Sequence, residues 1–237
     1  MFDFFIIVPL VLLGLFVLYI VLTCYLEKKR TKQFRAFAEE KHLSFVETAD
    51  FADINDLTEF YLFAKEQHAV YIRNLMEGQI DNVYVKLFDY EYAYGKFRRW
   101  GQRGNNLPII KQTVLLMASD QIYLPHFTLR PSHVINRNHP HFCEGQIVIK
   151  NNQKFTMAYL LQGADEDAVR AIFDREVCNF YANLLTKTTE GNRGRLLYYY
   201  QNHLVDGNLL AEFVKEGLKA LSLFTSKRKQ IFSPKQQ

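Results

Sequence analysis

Cysteine is scarce in this chain: Cys24, Cys143 and Cys178 are the three in 237 residues, odd in number and far apart. Such a set builds no disulfide framework and suits a reducing compartment. Signatures of chemistry are missing too. Gly101 and Gly104 lack the strand–GxxxxGK[ST]–helix context of a phosphate-cradling loop, and Ser132 has neither a nucleophile elbow nor an oxyanion donor. No helix-turn-helix, finger or basic face interleaved with aromatics points to nucleic acid. No cofactor is implied, and an enzyme is the less favoured reading. Repeats, linkers and low-complexity stretches are absent as well, which argues for one domain after the opening segment.

The most informative absence is of charge. Residues 4–26, "FFIIVPLVLLGLFVLYIVLTCYL", carry no ionisable acid or base from the Asp, Glu, Lys, Arg or His set. As a helix this run reaches about 34 Å, enough for a hydrocarbon core of about 30 Å with slight tilt. Apolar residues lie on every side, so no polar stripe is left to face water. A buried core helix is rarely so long and uniform. A cleaved secretory signal fits poorly, because the segment lacks a basic start and Tyr25 and Leu26 stand where small residues would be needed. Pro9 and Gly14 are tolerated within a membrane helix.

Charge returns at once. Lys28, Lys29, Arg30, Lys32 and Arg35 crowd the C-terminal flank with Glu27 as the local opponent. The positive-inside tendency places that flank in the cytoplasm, and the five basic residues are expected at the membrane surface. The formal net charge of +4 comes largely from this cluster, so the bilayer is the expected partner, with a protein partner beside it. Cys24 sits where acylation is chemically possible, a plain membrane-facing thiol being the simpler reading. The expected organisation is an extracytoplasmic N-terminus (1–3), a transmembrane helix (4–26) and a basic juxtamembrane helix (27–42). A soluble α+β domain (43–224) and a basic flexible tail (225–237) follow. The expected location is the cell inner membrane, crossed once, with the body in the cytoplasm.

Within the body, alternation and β-branched or aromatic content predict strands at 43–46, 69–75, 82–94 and 112–118, then at "HFTLR", "GQIVIK" and "FTMAYLL". Residues 53–63 read as a short helix capped by Asp53 or Asn55. Residues 165–185 form an amphipathic stripe led by Asp165, "TKTTEGNRGRLLYYYQ" reads as a hairpin, and 206–224 form a second amphipathic helix. Twenty Phe and fourteen Tyr supply a large core. The expected class is α+β: an N-terminal transmembrane helix, then an antiparallel sheet built as a β-meander with two amphipathic helices on one face.

The pieces "YIRNLMEG", "VKLFDYEYAYG", "KQTVLLM" and "LPHFTLRPS", with "VRAIF" and "EGNRG" further on, resemble an uncharacterised group of bacterial proteins. Those proteins have one N-terminal membrane span and a soluble body. The resemblance covers most of residues 60–200. It implies the topology and a bacterial source, and no functional residue is carried over from it.

Two clusters stand out as candidate sites. In "GKFRRWGQRGNN", Arg98, Arg99 and Arg103 offer forks for phosphate or carboxylate, and Trp100 suits a membrane interface; a long hairpin loop with the indole folded back is the plainer reading. In "HVINRNHPHFCEG", His133, His139, His141 and Cys143 are zinc-type ligands, with Glu144 and upstream His126 nearby. Metal binding or a metalloenzyme is therefore the alternative function. Pro140 disfavours a regular ladder there, no second ligand pair completes the set, and a polar histidine-bearing loop explains it as well. Asp89 and Glu91 share one strand face, as a half-buried strand requires without any site. The favoured reading is a membrane-tethered, non-enzymatic binding or adaptor domain.

Overall fold

The computed structural model describes residues 2–64, 67–94, 108–132 and 145–231. It opens with α1 (Phe2–Glu40), a single helix that contains Pro9. The apolar first part is bare, with none of its most hydropathic window buried. Farther along, Phe34, Phe37 and Ala38 sink into the body's core at helical three-and-four spacing. The helix stops in a Schellman closure. His42 takes a left-handed φ of 55°, and the amide of Leu43 donates to the carbonyl of Ala38 at 2.8 Å.

The chain then doubles back as β1 (Ser44–Ala49), followed by a 3₁₀ turn over Phe51–Leu57 and a one-turn helix α2 (Tyr61–Ala64). Asp50 caps the 3₁₀ turn, and its amide donates to the Asp53 carboxylate at 2.9 Å. The cap therefore lies before the position read from the sequence, and 53–63 is two short pieces. Strands β2 (Gln67–Ile80), β3 (Val83–Tyr94) and β4 (Ile109–Ala118) continue as an antiparallel meander. The β2–β3 turn is tight. Asp81 and Asn82 both have positive φ, 51° and 61°, as a two-residue hairpin with right-handed strand twist demands.

Beyond β4 the order departs from a meander. Strand β5 (Leu124–Pro131), helix α3 (Gln153–Ala158), strand β6 (Tyr159–Gly163), helices α4 (Glu166–Ile172) and α5 (Arg175–Leu184), and strands β7 (Lys187–Arg193) and β8 (Arg195–Tyr200) follow. The eight-stranded sheet runs β1-β2-β3-β4-β8-β7-β5-β6, so the late hairpin β7–β8 fills the centre. A 3₁₀ turn over Gly207–Leu209 leads into α6 (Leu210–Ile231).

Several expectations need correction. Residues 145–150 form no strand; the amide of Ile147 ties them to β6, donating to Leu161 at 2.8 Å. "FTMAYLL" begins as α3 because the Asn152 side chain accepts from the Phe155 amide and caps a helix there. The 165–185 stripe breaks in two where Asp174 caps α5, accepting from the Glu176 and Val177 amides. The last helix runs on to Ile231, past the expected start of a flexible tail at 225.

The α+β class holds, with more helices than two. One sheet face, bearing Val85, Leu87, Leu115 and Tyr198, packs against the end of α1 and against α3–α6. The other, bearing Phe88, Tyr90, Leu116 and Tyr199, is covered by Ile54, Leu57, Phe60 and Phe63 from the 3₁₀ turn and α2. Alternation along β3 sends Leu87 to the first face and Phe88 and Tyr90 to the second.

Packing is closest at Gly191, where an added Cβ would lie 2.1 Å from the Phe127 ring. That ring meets Phe173 edge-on at 5.0 Å and leans on Phe224. Gly191→Ala is therefore expected to cost about 1–3 kcal/mol by overpacking, seen as a lower urea midpoint of the full chain in micelles. The Cys178 thiol is held in α5 by a contact to the Phe173 carbonyl, and burial, helped by Asp174, pushes its pKa up to about 12. It should resist a thiol reagent at about pH 8 until urea unfolds the body; labelling before unfolding would contradict this packing.

Candidate functional site

One turn beyond Leu26, Arg30 leaves the helix on the side of Phe34 and enters the sheet. Its Nε and Nη2 donate to the two carboxylate oxygens of Asp89, both at 2.7 Å. Nη2 also donates to Thr113 Oγ1 at 2.9 Å, Nη1 to the Val205 carbonyl at 2.6 Å, and the guanidinium stacks over Phe34 at 4.7 Å. Asp89 accepts two further bonds, from Asn74 Nδ2 at 2.9 Å and from the Thr113 hydroxyl at 2.8 Å. Thr113 in turn accepts from the Val205 amide at 3.0 Å.

Each donor has a local reason to be there. Asn74 is turned inward by a left-handed φ of 54° at a register shift in β2, a conformation asparagine adopts readily. Asp89 and Thr113 are directly paired across β3 and β4. Val205 belongs to the loop after β8, which is stitched to β4 by the Thr113 amide donating to the His203 carbonyl. A planar fork matched to a carboxylate in a mostly dry setting is the strong form of ion pair.

Of the residues expected at the membrane surface, Arg30 is thus redirected: its guanidinium is consumed by the body. Lys28, Lys29 and Lys32 are exposed, and Arg35 is exposed while pairing with Glu47 at 3.2 Å and lying over Phe45. The signal that would have found this clamp is Asp89 itself. It continues the line Val85, Leu87 on the inward face of β3, and a carboxylate in that line demands a buried partner.

Beside the clamp, a groove of about 490 Å³ opens between α1 and the β1–β2 edge, lined by Cys24, Lys28, Thr31, Phe51 and Tyr71 among others. Glu27 crosses it to Arg73 at 3.2 Å. Two more charged clusters occupy the sheet. Lys187, 3% exposed, pairs with Glu216 and lies 3.8 Å over the Tyr200 ring, while Tyr198 donates to the same carboxylate. On the opposite face, fully buried Glu190 accepts from the Tyr199 hydroxyl at 2.7 Å and the Leu62 amide at 3.3 Å. Burial, together with Glu190, raises the Tyr199 pKa well above its ordinary value and keeps the phenol a donor. These groups satisfy one another.

Arg98, Arg99, Trp100 and Arg103 lie outside the described residues, as do His133, His139, His141, Cys143 and Glu144. Among the described residues no group of three or more His, Cys, Asp or Glu is placed to hold a metal ion. His126 is exposed on β5, and the Ser132 hydroxyl donates to the Met157 carbonyl at 2.9 Å.

No protein-family model and no curated protein matches the chain. Among solved structures it is similar to the mycobacterial trehalose monomycolate transport factor A, TtfA, at 12% identity and a TM-score of 0.57. The match covers 88% of this chain and 98% of that one. At that identity the likeness is one of fold.

Removing one partner of the clamp strands the other. Arg30→Ala and Asp89→Ala should each destabilise the body by about 3–5 kcal/mol, and the double variant by clearly less than their sum. Urea unfolding of the full chain in micelles measures both. Arg30→Lys should rescue little, because an ammonium cannot make the paired fork.

Proposed function

We propose that this chain is a single-pass inner-membrane protein whose cytoplasmic body works as a non-enzymatic adaptor for a protein partner at the same membrane. The observation that carries this reading is the continuity of α1. Bare and apolar at its start, the helix is buried in the body from Phe34 onward and clamped at Arg30 between the two. A span joined this way holds the body against the bilayer rather than letting it wander on a linker. Lys28, Lys29 and Lys32, exposed on the flank, support the cytoplasmic side. Among the described residues, the Arg30–Asp89, Lys187–Glu216 and Glu190–Tyr199 pairs satisfy one another rather than arm a nucleophile, which supports a binding reading. Likeness of fold to a protein named as a transport factor fits an accessory role in a membrane process.

The arginine-bearing segment is taken as the contact on its chemistry: the forks of Arg98, Arg99 and Arg103 match carboxylate or phosphate groups, and Trp100 beside them suits a partner at the membrane interface.

Two measurements test the reading. Green fluorescent protein fused behind Gln237 should fluoresce and alkaline phosphatase fused there should stay inactive; the reverse pattern removes the cytoplasmic body. Purification in mild detergent should return one partner in near-stoichiometric amount. That partner should be lost from the triple variant Arg98→Ala, Arg99→Ala, Arg103→Ala with the urea midpoint unchanged. A monodisperse chain with no partner would argue against an adaptor.

A further inference from the structure

The return path of β1 decides how close the body comes to the bilayer. From Glu40 back to Cys24 the helix descends about 24 Å at 1.5 Å per residue. From Ser44 to Asp50 the strand covers about 20 Å at 3.3 Å per residue. The two legs start at the same Schellman turn, so the strand comes back nearly to the level of Cys24, inside the uncharged run 4–26. Two ion pairs mark the descent as rungs, Arg35–Glu47 and then Glu27–Arg73. At the bottom, Cys24 shares a groove with Asp50, Phe51, Val70 and Tyr71.

Antiparallel pairing carries the same level across the sheet. Tyr71 stands opposite Glu91, Glu91 opposite Lys111, and Ile109 lies two residues farther toward that end. The polar members of the row neutralise each other, with Lys111 Nζ 2.8 Å from Glu91. The apolar ones are exposed: Ile109 at 59%, Tyr71 at 55% and Phe51 at 37%. Tyrosine and neighbouring apolar side chains at the depth of a span's last turn match the headgroup layer, where an amphipathic ring is favoured. Gln33, hydrogen-bonded to Asn208 at 2.8 Å, and the Arg30 fork hold the helix at one angle to the sheet, so this approach is fixed.

We infer that the β1–β4 end of the sheet is a phospholipid-contact surface, with Phe51, Tyr71 and Ile109 seated in the headgroup layer of the leaflet that receives Cys24. The body stands on the membrane by this edge. The inference rests on α1 spanning the bilayer and adds where, and through which side chains, the body meets lipid.

The full chain in phosphatidylethanolamine/phosphatidylglycerol vesicles provides the test, with Trp100→Phe as background and brominated lipid as quencher. Single Tyr71→Trp and Ile109→Trp variants should show blue-shifted emission quenched at least about threefold more than a Tyr123→Trp variant. Tyr123 is exposed beyond the far end of β4 and serves as the distant reference. An alkaline wash of the same vesicles separates the two readings. A chain retained after washing, with all three tryptophans equally unquenched, overturns the contact surface and leaves the span standing. A chain that washes out overturns both. Blue-shifted emission that bromine does not quench means that protein, a second copy or a partner, covers this edge, and the lipid assignment falls.

Discussion

The Arg30–Asp89 pair is the constraint on which the rest of the molecule turns. It lies about 6 Å beyond the end of the uncharged run, at a rise of 1.5 Å per residue, where the bare apolar part of the helix ends and the body begins. Taking both charges out of water is unfavourable by itself, and the arrangement is tolerable because the Arg30 fork and both Asp89 oxygens are hydrogen-bonded. Asn74, Thr113 and the Val205 carbonyl complete the shell, and they come from strands and a loop far apart in sequence. The pair therefore contributes less through net energy than through uniqueness. A hydrophobic substitute could bury as well, but it would let the helix rotate or slide over a greasy sheet.

The same logic recurs at Lys187 and Glu190. Each is an ionisable residue at a strand position that faces a packed layer, and each is answered from another element: Glu216 on α6 for the first, the Leu62 amide and Tyr199 for the second. Both belong to β7, the strand that with β8 lies in the middle of the sheet, between β4 and β5, although the two follow β6 in the chain. A late hairpin inserted between earlier strands could pair in either register by hydrophobicity alone. Charges that find partners in one register and lose them in the other resolve that choice.

Much of this was readable from the chain, and the limits have physical causes. The membrane-length helix, the β1–β4 alternation and the two amphipathic stripes are local periodicities, and they survive folding. The break between α4 and α5 was hidden because Val169, Ile172, Val177 and Tyr181 keep one apolar stripe across it, while Asp174 acts as a cap that periodicity does not weigh. "GQIVIK" has strand composition, yet it is tied to β6 through the Ile147 amide and forms no strand. The strand order was out of reach, since it depends on pairings between segments some eighty residues apart in the chain, Val114 with Tyr199 among them. For the candidate site, sequence reasoning grouped Arg30 with Lys28 and Lys29 as surface charge. Which of several neighbouring bases turns inward depends on where Asp89 stands, and only the folded chain brings them together. The arginine–tryptophan and histidine clusters lie outside the described residues, so the site that emerges was built from residues the sequence marked as ordinary.

A clamp at the end of the bare apolar helix has a mechanical consequence. Successive residues of an α-helix turn by about 100°, so rotation of the span by a single residue would carry Arg30 out of reach of Asp89 and Thr113 together. The helix and the β3–β4 face therefore move as one piece, or the pair breaks and leaves two buried charges. Any force on the apolar part of α1 is delivered to the sheet rather than absorbed in a hinge. On the proposed reading, an adaptor built this way would present its binding surface at a set height and angle above the leaflet, and a partner in the same membrane would meet it already oriented. Preorientation of this kind removes part of the rotational cost of association, which lets a modest contact area hold a partner that would escape it in solution.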